Sequence, residues 1–198
     1  MGLKIITPVA TEVVSLDEVK SHCRIIGSSE DTYLSGLIKR ARGYVEQRTG
    51  AAIGEQTLQQ LLDAFPVNEL GRSAGIRLER PPLRTVTWVK YLDADGVEQT
   101  LDSSSYYVDE AQLRAWICPA SSTTDWPETM DAVNAVRVEY VAGHTQASFD
   151  QEPAKQFLLM LVGALYENRE LFVTGGGAEV ELKFVHRLLD RLDVPRFG

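Results

Sequence analysis

The side chains best suited to chemistry are scattered along this chain. His22, His144 and His186 lie on three separate segments, without the x-x-x-His or x-x-Cys spacing that gathers metal ligands on one turn. His22 directly precedes Cys23, and adjacent residues on a helix point about 100° apart, so no Cys–His nucleophile is expected from the pair. No Gly-x-Ser-x-Gly elbow is expected, so a hydrolase triad has no anchor. Asp93-Ala94-Asp95-Gly96 begins like a calcium loop, but Val97 and Glu98 stand where such a loop needs an oxygen ligand and a glycine, so a hairpin turn fits better. Gly175-Gly176-Gly177-Ala178 lacks the Lys-Ser/Thr that completes a phosphate loop, and Glu179 beside it would repel phosphate; a hinge is the better reading. Residue chemistry points to no catalytic centre, no metal and no cofactor.

One basic stretch remains, Arg72, Arg77, Arg80, Arg84 and Lys90. It could touch DNA phosphates or pair with acidic residues of a neighbouring copy. Lys plus Arg number 20 against 28 Asp plus Glu, a net charge of −8, which disfavours a general nucleic-acid binder and favours pairing between copies. The 198 residues are 44% hydrophobic and 24% charged, the make-up of a soluble globular protein with one domain. Two cysteines, Cys23 and Cys118, are too few for a disulfide scaffold, and a reducing compartment is the simplest reading. The opening residues read as neither signal peptide nor myristoylation site, since Ile6 stands where the latter needs Ser or Thr. The longest apolar run, Phe157 to Tyr166, is about half the ~20 residues a membrane span needs, so no membrane partner is expected.

The periodicity predicts α+β architecture, mainly a bundle of about four helices with an inserted small β-rich subdomain. Ser15 and Glu18 form a capping box ahead of the stripe Leu16, Val19, Cys23 and Ile26, with Gly27 as the stop. Ser28-Ser29-Glu30-Asp31 restarts a helix whose face is Leu34, Leu37, Ile38, Ala41, Tyr44 and Val45, ending at Gly50. From 57 to 141 the period shortens to two. Strands are expected at Arg84–Leu92, at Val97–Leu101 as its hairpin return, and at Tyr106–Val108, Leu113–Cys118 and Ala135–Val141. After Gly143 the helical period returns, with Asp150 or Gln151 as cap and Pro153 in the first turn of a helix over 151–171. Phe157, Leu158, Leu161, Val162 and Leu165 share one face, and Leu159, Met160 and Ala164 make the other side apolar too. A last amphipathic helix is expected over 180–193, then a tail over 194–198. The bundle is thus drawn from 15–50 and 151–193, in a single domain.

Several segments together resemble the head–tail connector (adaptor, or head-completion) proteins of tailed bacteriophages and prophages. They are Ser15 to Ile25, Asp31 to Ile38, Ala41 to Gly50, Ile76 to Pro82 with Val86 to Gly96, Val136 to Gly143, and Leu158 to Glu170. The chain departs from that pattern at 119–131 and 144–155. The resemblance implies a structural virion protein at the head–tail neck, assembled in the host cytoplasm: a ring, dodecameric in that family, beneath the portal. It also implies a tail or further neck protein as partner, and genomic DNA passing through the lumen without specific binding. The alternative is a DNA-contacting module of the neck using the Arg72–Lys90 stretch. Candidate contacts between copies are Arg77, Arg80, Arg84, Leu159 and Met160. Portal-docking candidates are Leu188, Leu189, Arg191, Leu192, Val194, Arg196 and Phe197. Leu182 to Leu189 either closes the chain's own bundle or docks, whereas Arg191 to Gly198 is expected to contact a partner.

Overall fold

In the computed structural model the described residues are 2–121, 124–150 and 153–167. They form two compact units, one of Met1–Val9 with Glu55–Gly143, the other of Ala10–Gly54 with His144–Gly198. The class is α+β, but helix and strand take nearly equal shares, so the helices do not predominate as expected. The expected hinge at 175–177 and helix at 180–193 lie outside the described residues.

In the second unit, α1 (Leu16–Cys23) starts with the capping box: the Ser15 hydroxyl accepts the Glu18 N–H while the Glu18 carboxylate accepts the Ser15 N–H. Its stop is not Gly27. Arg24 takes the left-handed conformation, φ 56°, and donates its N–H to the carbonyls of Lys20 and Ser21. The helix therefore ends early, and Ile26 leaves the apolar stripe to stand 97% exposed. The next helix, α2 (Asp31–Thr49), ends at Gly50 with φ 75°, as the spacing predicts. An unexpected turn of helix, α3 (Gln146–Phe149), is capped by Thr145, and Asp150 closes it rather than opening the next helix. Then α4 (Pro153–Glu167) opens with its proline. Val19, Leu34, Leu37, Ile38, Ala41, Val45, Phe149, Phe157, Leu158 and Val162 form the core of this unit. Tyr44 stacks on Phe157 at 6.5 Å between ring centroids yet stays 43% exposed.

The other unit is built on a five-stranded antiparallel sheet, order β1-β2-β8-β4-β5. Its members are β1 (Gly2–Thr7), β2 (Gln56–Leu62), β4 (Leu83–Leu92), β5 (Glu98–Thr100) and β8 (Val136–Ala142). The strand made last in sequence, β8, sits at the centre and pairs with both β2 and β4. Alternation on it is strict: Val136, Val138, Tyr140 and Ala142 are buried, and the residues between are not. Three strands escaped the sequence reading: β1, β2 and β3 (Ile76–Arg77), the last only two residues long. Nearly every side chain of β1 is exposed, so no period shows, and β2 buries Gln56 and Gln60 where an apolar pattern would have marked it. A smaller sheet, order β3-β7-β6, joins β3 (Ile76–Arg77), β7 (Trp116–Pro119) and β6 (Tyr106–Asp109). Gln60 ties the two sheets: its Nε2 donates to the Arg77 carbonyl at 2.8 Å and its Oε1 accepts the Glu79 N–H at 3.0 Å. Tyr140 donates its hydroxyl to the Glu79 carbonyl at 2.7 Å.

Candidate functional site

Among the described residues the chemistry-bearing side chains do not converge, and His186 lies outside them. His22 is exposed at the end of α1, while His144 packs its ring against Phe149 at 5.3 Å between centroids. Both cysteines are free thiols, Cys23 on α1 and Cys118 on β7. Burial pushes the Cys23 thiol above its ordinary pKa, and the nearby Glu167 charge adds to this, which makes it a poorer nucleophile. Among the described residues no group of three His, Cys, Asp or Glu side chains is placed to hold a metal ion, and no helix is long and apolar enough to cross a membrane.

Contrary to the expectation, a Gly-x-Ser-x-Gly spacing does occur, at Gly71-Arg72-Ser73-Ala74-Gly75. The structure shows why it is no nucleophile elbow. The motif lies between two strands with no helix after it, and Ser73 is committed locally. Its hydroxyl donates to Asp125 at 3.1 Å and accepts the Trp126 N–H at 2.8 Å, holding a loop whose Trp126 stacks on Phe65.

The turn at 93–96 is the hairpin expected. The Asp93 carboxylate accepts the N–H groups of Asp95 and Val97 and the Gln99 side-chain amide. The Gln99 bond leads these contacts in holding its pKa below the ordinary aspartate value.

The basic stretch is divided, not gathered. Arg72 is exposed in the 63–75 loop, and Arg77 faces Glu79 at 3.9 Å. Arg80 takes a left-handed φ of 57° between the two sheets. Arg84 faces Glu55 at 3.7 Å, and Lys90 pairs with Glu98 at 2.8 Å while lying 5.0 Å over the Trp88 ring. Arg84 and Lys90 share β4 but are six residues, about 20 Å, apart. Arg137 joins Lys90 on Glu98, and the Lys90 hydrogen bond is foremost in holding that carboxyl below its ordinary pKa. Arg77, Arg84 and Lys90 thus already face carboxylates of their own chain.

On α4, Leu159 is half-buried against the core, while Met160, 38% exposed, and Ala164 face outward. Leu188, Leu189, Arg191, Leu192, Val194, Arg196 and Phe197 lie outside the described residues. The firmest polar cluster is at the start of α1, where the Glu18 carboxylate also accepts from Lys155, whose other contact is Asp150. Burial alone would raise the Glu18 pKa, but Lys155 and the Ser15 N–H and hydroxyl outweigh it and bring it down to about 2. This cluster clasps three helices, and its Ser15 and Gln146 line a cavity of about 400 Å³ together with Glu12, Ser35 and Lys39.

Residues 13–69 match the family described as phage gp6-like head–tail connector protein. Three solved structures share the fold over 100% of this chain and 98% of theirs. They are a chain in the neck of an empty gene transfer agent particle with C6 symmetry (22% identity, TM-score 0.77), one in the native gene transfer agent virion (23%, 0.78) and one in the native particle's neck with C12 symmetry (22%, 0.71). No curated protein matches the chain.

Proposed function

We propose that this chain is a structural head–tail connector, a non-enzymatic virion protein of the neck that forms a ring beneath the portal and extends the DNA channel toward the tail. The observation that carries the reading is a fold shared from end to end with neck proteins of a tailed particle, joined to a connector-family match over the helices that open the chain. The C12 symmetry of one such neck supports twelve copies. Each copy brings a charge of −8, and a lumen sharing the sign of DNA would let the genome slide without gripping it.

A DNA-contacting module is the weaker reading, since Arg77, Arg84 and Lys90 face carboxylates that compete with phosphate. The deciding experiment is deletion of the gene from a particle-producing strain. DNA-filled heads accumulating beside free, unjoined tails are the expected result. Normal yields of joined particles, or heads that never fill, would overturn the assignment.

A further inference from the structure

The five-stranded sheet has two open edges of opposite character. On β1, Leu3, Ile5 and Ile6 are 39%, 58% and 41% exposed, and the strand's one charge is the exposed cation Lys4. Only Lys4 and a register shift between Ile5 and Thr7 guard this six-residue edge, where sheets usually protect apolar edges with several charges, proline or a covering element. At the other edge β5 is Glu98-Gln99-Thr100, exposed throughout; Glu98 is paired with Lys90 and Arg137 of its own sheet, so the acidic character of this edge comes from Asp93, Asp95 and Asp102 in the turn and loop that flank it. Backbone alternation leaves the peptide groups of Glu98 and Thr100 pointing away from β4, because the Val97 carbonyl and the Leu101 N–H are the flanking groups bonded inward.

Strand direction adds a second constraint. Five strands paired antiparallel throughout make the first and last run the same way. A neighbour related by rotation about an axis near the strand direction would therefore lay its β5 beside β1 in parallel, with no inversion. Inversion would instead bring β1 against β1 or β5 against β5, opposing Lys4 to Lys4 or acid to acid. Charge and direction both select the unlike pair.

Resting on the connector reading above, we propose that β1 is a docking edge for a second copy of this chain, receiving the β5 edge of its neighbour so that the sheets join head to tail around the ring. A contact between unlike surfaces repeats until rotation closes it, which is what a ring requires.

The test exploits a distance. Across its own sheet, β1 is four strand spacings, about 19 Å, from β5, beyond the reach of a zero-length cross-linker. Carbodiimide treatment of rings assembled on particles should join Lys4 to Asp93, Asp95, Glu98 or Asp102, a product only a neighbouring copy can supply. Amide exchange over 2–7 and 98–100 should slow together on assembly. The Lys4→Glu variant, changed at an exposed side chain, should keep the monomer's circular dichroism and lower ring assembly about tenfold. Rings that form without the cross-link and with β1 amides exchanging as in the monomer would overturn this edge contact and leave the connector reading standing. Absence of any ring on the particles would overturn both.

Discussion

Glu18 joins polar groups from three helices of the helical unit. It completes the capping box of α1 and accepts from Lys155 of α4, and Gln146 of α3 reaches it at 3.4 Å. Its carboxyl, ordinarily near 4.5, is held at about 2 in the folded state. A carboxylate depressed by folding contributes stability that is complete above its unfolded pKa and is lost as pH falls through the folded value. Stability of the helical unit should therefore fall between about pH 4.5 and pH 2. Glu18→Gln should flatten that limb and cost about 1 kcal/mol at neutral pH, measured by urea denaturation at several pH values. An unchanged acid limb would assign the acid sensitivity elsewhere. The box itself was legible, because Ser15 and Glu18 stand three apart before a hydrophobic stripe. Lys155 was not, because nothing in a sequence shows that a lysine 137 positions away returns to the same carboxylate.

At the scale of elements, legibility followed the way burial is distributed. Strand β8 alternates buried and unburied residues without a break, so its sequence states what it is. Strand β2 alternates as well, but two buried positions are Gln56 and Gln60, and the Gln60 amide replaces apolar packing with hydrogen bonds to another segment. Strand β1 has hardly any buried side chain, so no period can appear. Helix α1 misled in the opposite way: its stripe extends past the helix because Arg24, not glycine, adopts the left-handed stop. The connection through Gln60 gives a sharp expectation. Gln60→Leu keeps the size of the side chain but strands the Glu79 N–H and the Arg77 carbonyl in the interior, at about 1–3 kcal/mol for each group. Thermal denaturation should show a loss of about 2–4 kcal/mol, whereas a loss below about 0.5 kcal/mol would mean that the smaller sheet is anchored by other contacts.

For the whole molecule, the strongest expectation concerns its C-terminal residues. Arg191 and Leu192 at the end of the helical pattern of 180–193, with Val194, Arg196 and Phe197 beyond it, combine apolar and cationic side chains, a composition suited to docking in a partner's groove. Truncation after Asp190 should abolish portal binding in a pull-down while circular dichroism stays unchanged. Unaltered binding would exclude that docking role, and general unfolding would show the segment to be part of the chain's own core. The central place of β8 has a further consequence, one that concerns time. A chain emerges from the ribosome at about 5–20 residues per second. Between Leu62, where β2 ends, and Ala142, where β8 ends, lie 80 residues, so β2 waits about 4–16 s for the neighbour that covers its inner side. The middle of this sheet is its last part to be made. During that interval β1 and β2 can pair only with each other, and a lone two-stranded ribbon is marginal in water. Closure must then come late and nearly all at once, when one strand slides between two that already exist. A newborn copy therefore shows its apolar edges to the cell for seconds before it shows a finished surface to any partner.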